Sequence, residues 1–412
     1  MKRVLMIAYH FPPLAGSSGI QRTLRFVRYL PEYGWEPVVL TAHERAYAET
    51  SDDQLKDVPE GVRVIRAPAW DTSRHFAVGG RYPRFLSLPD RWVSWWLGGV
   101  WCGSRLLRQS KFDAIWSTYP IATAHMLGAS LAARSGLPWI ADFRDPMAQP
   151  DYPVDKEKRK RFFAIERRAV NSATFSTFTT PSAAETYRVR YPDRAASIRL
   201  LENGYDEETF ADAAKGEALS AGRLTLLHSG IVYPVERDPS SLFRALGYLR
   251  RSEPEIYRRI NVRFRAPVHE DLLRRLAAEN NVDDAVEIMP PIDYRSALQE
   301  MCSADALLVL QAANCNEQIP AKLYEYMRAG RPVLVLSDPS GDTATASRMA
   351  GIGAIARLDD AAEIADRLIR FVRNPNEDTL PNTHAVRAAS RRERTQRLAG
   401  LLDSLAGAQR CE

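Results

Sequence analysis

Two glutamates, Glu317 and Glu325, bound the stretch EQIPAKLYE, which runs directly into YMRAGRPVLVL. Their eight-residue interval is a little over two helical turns, so a carboxylate just before a helix and one within it lie along the same side. One ligand can then touch both. Pro320 suits a first turn, where its missing N–H costs nothing, and the amides around Ala321 and Lys322 favour a phosphate together with the helix dipole. Lys322 adds a full positive charge, and Gly330 stands where a left-handed residue ends a helix. Arg331-Pro332 then leads into an apolar strand from Val333 to Leu336. The spacing is equally served by an amphipathic helix on a parallel sheet, with Leu323, Tyr326 and Met327 inward and both glutamates solvated.

The block Glu317 to Val333 resembles the donor-site signature of retaining glycosyltransferases of the GT-B fold, especially the family-four group, whose two glutamates share this spacing. The resemblance implies that Glu317 faces the transferred sugar and Glu325 binds the nucleotide ribose. A second segment, LHSGIVYPVERDPSSL, is similar to the family pattern of a strand ending in glycine and a basic residue that reaches the donor diphosphate. Gly230 and Arg237 stand at those places. The family usually carries a lysine five residues after the arginine, whereas this chain has Leu242. A leucine packs but cannot meet a phosphate, so either Arg237 and Lys322 neutralise the diphosphate or the site is weaker than in its relatives. A surface Arg237 paired with Asp238 is the plainer reading.

The segment HFPPLAGSSGIQRTLRF holds a compact loop, Gly16, Ser17, Ser18 and Gly19, opening onto a helix whose start favours an anion. It lacks the lysine of a Walker motif and the GxGxxG spacing, so by itself it reads first as a simple turn. The likeness to the family's N-terminal glycine loop puts it beside phosphates and acceptor, with Arg22 as a phosphate contact or, more plainly, a solvated helix arginine. In SGLPWIADFRDP, Asp142, Arg144 and Asp145 end a strand where open α/β sheets bind ligands. DFRDP recurs in similar bacterial envelope glycosyltransferases, which implies Asp145 on the acceptor side and Arg144 as a clamp; a capping aspartate is the alternative. His125 resembles a family histidine near the transferred sugar, against its reading as a packing residue on an alanine-rich helix. Asn203-Gly204 reads as a hinge.

Two stretches have the composition of a membrane-surface segment. Leu88 to Trp101 gathers Trp92, Trp95, Trp96 and Trp101 with Arg91, and Lys156 to Val170 opposes a cationic face to Phe162, Phe163 and Ile165. Ordinary core and solvated surface explain the same patterns.

With 412 residues, 45% hydrophobic and 26% charged, the chain builds two cored domains, which excludes a disordered or fibrous protein. The net charge of +5 is modest and its arginines are dispersed, so no nucleic-acid partner is implied. No apolar run suffices to span a bilayer, and MKRVLMIAYHFPP reads as a first strand rather than a signal peptide. A cytoplasmic protein is expected. Cys102, Cys302, Cys315 and Cys411 show neither disulfide nor zinc spacing, and no metal or cofactor is expected.

Apolar runs alternating with helical patterns predict seven strands between Val4 and Glu202 and six between Leu224 and Arg357. This is an α/β chain of two Rossmann-like domains. The expected limits are an acceptor domain over 1–210, a linker over 211–223, a donor domain over 224–382 and a tail over 383–412. The resemblance implies a GT-B arrangement with an interdomain cleft and that tail helix crossing back to the first domain. It further implies transfer of a sugar from a nucleotide-sugar donor to a glycan or lipid-linked acceptor, with retention and without metal, at or near an anionic membrane. A nucleotide-sugar epimerase of similar fold and a non-catalytic sugar-nucleotide-binding subunit are the alternatives.

Overall fold

The structure is a computed structural model, and it describes residues 1–16, 19–211, 213 and 216–408. The first compact unit comprises residues 1–202 and 391–412, the second residues 203–390. In the first, seven strands form one parallel sheet: β1 (Lys2–Ile7), β2 (Trp35–Ala42), β3 (Arg63–Ala67), β4 (Ala114–Thr118), β5 (Trp139–Arg144), β6 (Phe175–Phe178) and β7 (Ile198–Leu200). Their order is β3-β2-β1-β4-β5-β6-β7. Val4, Leu5, Met6 and Ile7 of β1 are all buried, as a central strand covered on both faces requires.

The second unit has six parallel strands: β8 (Leu224–Ser229), β9 (Ile260–Arg265), β10 (Val286–Met289), β11 (Ala306–Gln311), β12 (Val333–Ser337) and β13 (Ile355–Ala356). They are ordered β10-β9-β8-β11-β12-β13. Every residue of β11, ALLVLQ, is buried.

The division between units falls at residues 202/203, earlier than the polar stretch 211–223. The reason is packing: Tyr205 and Phe210 join the second unit's core, and the Tyr205 N–H donates to the Ala389 carbonyl. Three positions of the expected linker, 212, 214 and 215, lie outside the described residues, as do Ser17, Ser18 and Cys411. Cys102, Cys302 and Cys315 are free thiols.

The return to the first unit begins at Arg391 rather than at 383, because the Thr383–Ala388 helix stays with the second. The Arg391–Ala408 helix then buries Leu398, Leu402 and Leu405 in the first unit's core. Asp403 accepts from Trp35 Nε1 at 2.9 Å and Lys2 Nζ at 2.6 Å, while Arg394 and Arg397 both pair with Glu202. No described helix is long and apolar enough to cross a membrane.

Candidate functional site

In each sheet the strand order reverses once, and open α/β sheets bind ligands beyond the carboxyl ends of strands at such a point. In the second unit the reversal lies between β8 and β11. The loops that follow these strands carry Gly230, Arg237 and Glu317, three residues expected from sequence to meet a donor.

Gly230 has φ 131°, and the place of its missing Cβ lies 3.9 Å from Lys322 Cε. Arg237 is half-buried, with Nη1 donating to the Ile231 carbonyl at 2.7 Å and its guanidinium lying over the Tyr233 ring. It forms no ion pair with Asp238, which instead binds Ser240. Leu242 is fully buried in the unit's core, so this position packs against the sheet and offers nothing to a phosphate.

The Ala321–Ala329 helix follows β11, and it buries Leu323, Tyr324, Tyr326 and Met327. Pro320 sits at the N-cap, one step before the first turn, and supplies no capping side chain. Gly330 ends the helix in the left-handed region at φ 65°, a conformation that glycine adopts without a Cβ penalty. The Ser229 N–H donates to Tyr326 Oη at 2.9 Å, tying the helix to the end of β8.

On this helix Lys322 Nζ pairs with Glu325 Oε2 at 3.0 Å, and Tyr294 Oη donates to Glu325 Oε1 at 2.8 Å. Glu325 is therefore held from two sides, its side chain only 12% exposed. Glu317 lies half-buried in the preceding loop. That loop is pinned, since Asn316 Nδ2 donates to Asp338 and Thr343 Oγ1 donates to the Gln318 carbonyl. A cavity of about 480 Å³ flanks the site, lined by Asp238, Arg244, Ala312, Asp338 and Arg357 but not by Arg237, Lys322 or Glu325.

Tyr294 and His228 escaped the sequence reading. His228 is buried with Nδ1 2.9 Å from the Leu308 carbonyl, and burial, aided by Arg237 and Lys322, holds its pKa down to about 4. It is neutral at pH 7. Its only sequence signal was a histidine two residues before Gly230 at a strand end.

In the first unit the reversal lies between β1 and β4. Gly16 has φ 71° in the loop after β1, and Gly19 opens the Gly19–Tyr29 helix. A Cβ on Gly19 would stand 2.4 Å from His10 Nδ1 and 3.0 Å from Arg144 Nη1, so only glycine allows this approach. Arg144 follows a bulge in β5, has φ 66°, and donates to the Tyr119 carbonyl at 3.3 Å. Burial and then Arg144 hold the His10 pKa down to about 4. Asp145 is half-buried and accepts from Thr179 at 3.4 Å. His10 and Tyr119 are additions that sequence reasoning missed.

Two expected acceptor-side residues are corrected. Arg22 is 3% exposed; it grips both Asp142 oxygens at 2.8 and 2.9 Å and donates to the Leu201 and Glu202 carbonyls. Its donors serve the interior rather than an acceptor. His125 is fully buried, bonded through Nδ1 to Ser117 and packed on Phe143, and burial lowers its pKa to about 3.

Helix phase also sorts the aromatic stretches. Trp95 and Phe162 are core, Trp92, Trp96, Phe163 and Ile165 are half-buried against it, and Trp101 is exposed. The apolar side of the Lys156–Ser172 helix thus faces the core, while Lys160, Arg161, Arg167 and Arg168 face outward.

Residues 18–204 match the family model of the glycosyl transferase 4-like domain. Among solved structures, Anabaena HepE in complex with UDP superposes with a TM-score of 0.69 at 13% identity, covering 98% of this chain and 100% of that one. Sucrose-phosphate synthase from Thermosynechococcus elongatus gives 0.68 at 14% identity over 99% and 100%. Trehalose 6-phosphate synthase from Burkholderia multivorans gives 0.70 at 12% identity over 99% and 100%. No curated protein sequence matches the chain.

Proposed function

We propose, from the match of residues 18–204 to the glycosyl transferase 4-like domain model and the GT-B fold that the two sheets share with solved structures, that this protein transfers a sugar from a nucleotide donor with retention of configuration. The observation that carries the reading is the pairing of Lys322 and Glu325 on the helix after β11, with Tyr294 reaching Glu325 from the helix before β11 and Arg237 on the loop after β8. Glu325 receives the ribose diol, Arg237, Lys322 and the amides near Ala321 receive the diphosphate, and Glu317 faces the sugar. In the transfer step an acceptor hydroxyl oxygen bonds to the anomeric carbon on the face from which the diphosphate leaves. The C–O bond to phosphate breaks, and the hydroxyl proton passes to the departing phosphate oxygen. Positive groups fixed at the leaving oxygens stabilise that charge as it develops, and no metal is required.

Removing the Glu325 charge tests the donor site. UDP is the first ligand to use, because the similar HepE was solved with UDP. Calorimetry with Glu325→Gln should show UDP affinity reduced by about 1.5–3 kcal/mol, the worth of hydrogen bonds to a charged group. Unchanged affinity removes Glu325 from the ribose site. A second reading is favoured by buried Leu242: with no cation at that position, the chain would bind a sugar nucleotide without turning it over.

We assign the acceptor to the first unit, beside Gly19, His10, Arg144 and Asp145, and take it to be a glycan or lipid-linked sugar of a bacterial envelope polysaccharide, met at the inner membrane face. The outward cations of the Lys156–Ser172 helix support that location. Each basic residue near an anionic surface contributes about 1 kcal/mol and is screened within a Debye length. Co-sedimentation with anionic vesicles should therefore be salt-sensitive and weaken when Lys156, Lys160 and Arg167 become Gln. Absence of binding at low salt refutes the membrane location.

A further inference from the structure

Three helices of the first unit, Ser94–Gln109, Ala122–Ser135 and Lys156–Ser172, line a half-open cavity of about 240 Å³ that no step above uses. Leu88, Trp96, Met126 and Ile165 give it apolar walls. Ser130 also lines it, but its hydroxyl is spent, accepting from Trp96 Nε1 at 3.0 Å and donating to the Met126 carbonyl at 2.7 Å. His125 reaches it too, fully buried, and its Nε2 has no hydrogen-bond partner among the described residues. Arg161 and Arg168 complete the lining from the exposed side of the third helix. Arg161 has a loose, exposed partner in Glu157 at 3.4 Å; Arg168 pairs with no carboxylate among the described residues.

We propose that this cavity takes methylenes of a hydrocarbon chain of an anionic membrane lipid, whose phosphate meets Arg161 and Arg168. Apolar walls hold water poorly, and the volume equals roughly eight waters, enough for several methylenes next to the phosphate while the rest of the chain lies outside. A peptide is a poor occupant. Along the apolar walls its backbone amides would find one unspent side-chain atom among the described residues, His125 Nε2, and unpaired buried amides are costly, whereas a hydrocarbon needs no partner. The two arginines complement a phosphate and set the sign of the headgroup.

A bilayer source follows from the helix that supplies Trp96. Its residues Leu97, Trp101, Arg105 and Arg108 form one outward stripe, with Leu97 69% and Trp101 62% exposed. Aromatic, aliphatic and cationic side chains in one stripe suit a membrane interface. The proposal deepens the membrane reading above, yet its soluble probe tests the cavity whether or not the protein docks on vesicles.

Calorimetry of the full chain with decyl phosphate, decanol and inorganic phosphate tests it. Decyl phosphate should bind saturably, and the other two should bind at least about tenfold more weakly, since each lacks either the charge or the buried methylenes. Ala164→Trp, at an exposed lining position, and Ala129→Leu, at a buried one, should each weaken decyl phosphate about tenfold or more by displacing methylenes from the cavity. Arg168→Glu should weaken it about fivefold or more. Lys56→Gln, outside the lining, should leave it unchanged. Phosphatidylglycerol vesicles should compete with decyl phosphate. The proposal is overturned by absence of saturable binding, by equal affinity for inorganic phosphate, by insensitivity of the folded Ala164→Trp protein, or by vesicles that do not compete.

Discussion

Lys322→Ala is expected to lower the rate of sugar transfer about 10²–10³-fold with little change in stability, the usual cost of removing one preorganised group from a developing negative charge. The side chain is one-third exposed and its ion pair with Glu325 lies within one helical turn, so the fold does not depend on it. In the proposed site Arg237 lies on one side of the donor diphosphate, and on that same side Leu242 is sealed in the core. On that reading Lys322 supplies a further full charge at the leaving phosphates. Its loss should fall on turnover more than on UDP affinity, because the interaction strengthens as the bond to the sugar breaks. Adding Leu242→Lys should not rescue the variant, since that position faces the core, and a buried unpaired ammonium would destabilise the unit. Single-turnover release of UDP, with circular dichroism to verify folding, separates the effects. Full transfer activity in Lys322→Ala would end this account of the diphosphate site.

Breaking the Arg22–Asp142 pair should have an effect of similar size on stability. Both side chains are buried, and removal of one partner leaves an uncompensated charge, which costs about 3–5 kcal/mol. Burial alone would raise the Asp142 pKa, but Arg22, Thr177 and Thr118 outweigh it and hold the carboxyl below its ordinary range. Because the folded pKa is depressed, the pair's contribution is present above the ordinary carboxylate pKa and is lost as the pH falls through the lower folded value. Urea unfolding of Arg22→Ala at pH 7 measures the loss. A change under about 1 kcal/mol, the worth of an exposed pair, would contradict it.

These two predictions differ in how far sequence reaches. The thirteen strands were legible because buried parallel strands are short apolar runs bounded by turn residues, as in ALLVLQ and VLVLS. Glu317, Lys322, Glu325 and Gly330 were legible because one helix and its approach set their spacing. Tyr294 was not, since it comes to Glu325 from another helix 31 residues away. Arg22 and Asp142 are 120 residues apart and become partners only when β5 lies alongside the helix after β1. A charge on an amphipathic helix reads as solvated until the fold supplies its buried partner. The aromatic stretches failed by phase: Trp95 and Trp101 share a helix, yet one points to core and the other outward. The unit boundary failed because Tyr205 and Phe210, set in a polar context, pack into the second core.

The central claim is transfer from a nucleotide-linked sugar, and it is tested most directly by following the donor's anomeric carbon. Wild-type protein incubated with UDP-sugars and with hexose phosphates or lipid-linked monosaccharides as acceptors, monitored by NMR, should release UDP only when acceptor is present. The new glycosidic bond should keep the donor's anomeric configuration. A nucleotide-sugar epimer formed without acceptor, a product of inverted configuration, or saturable UDP binding with no turnover of any pair would contradict the account.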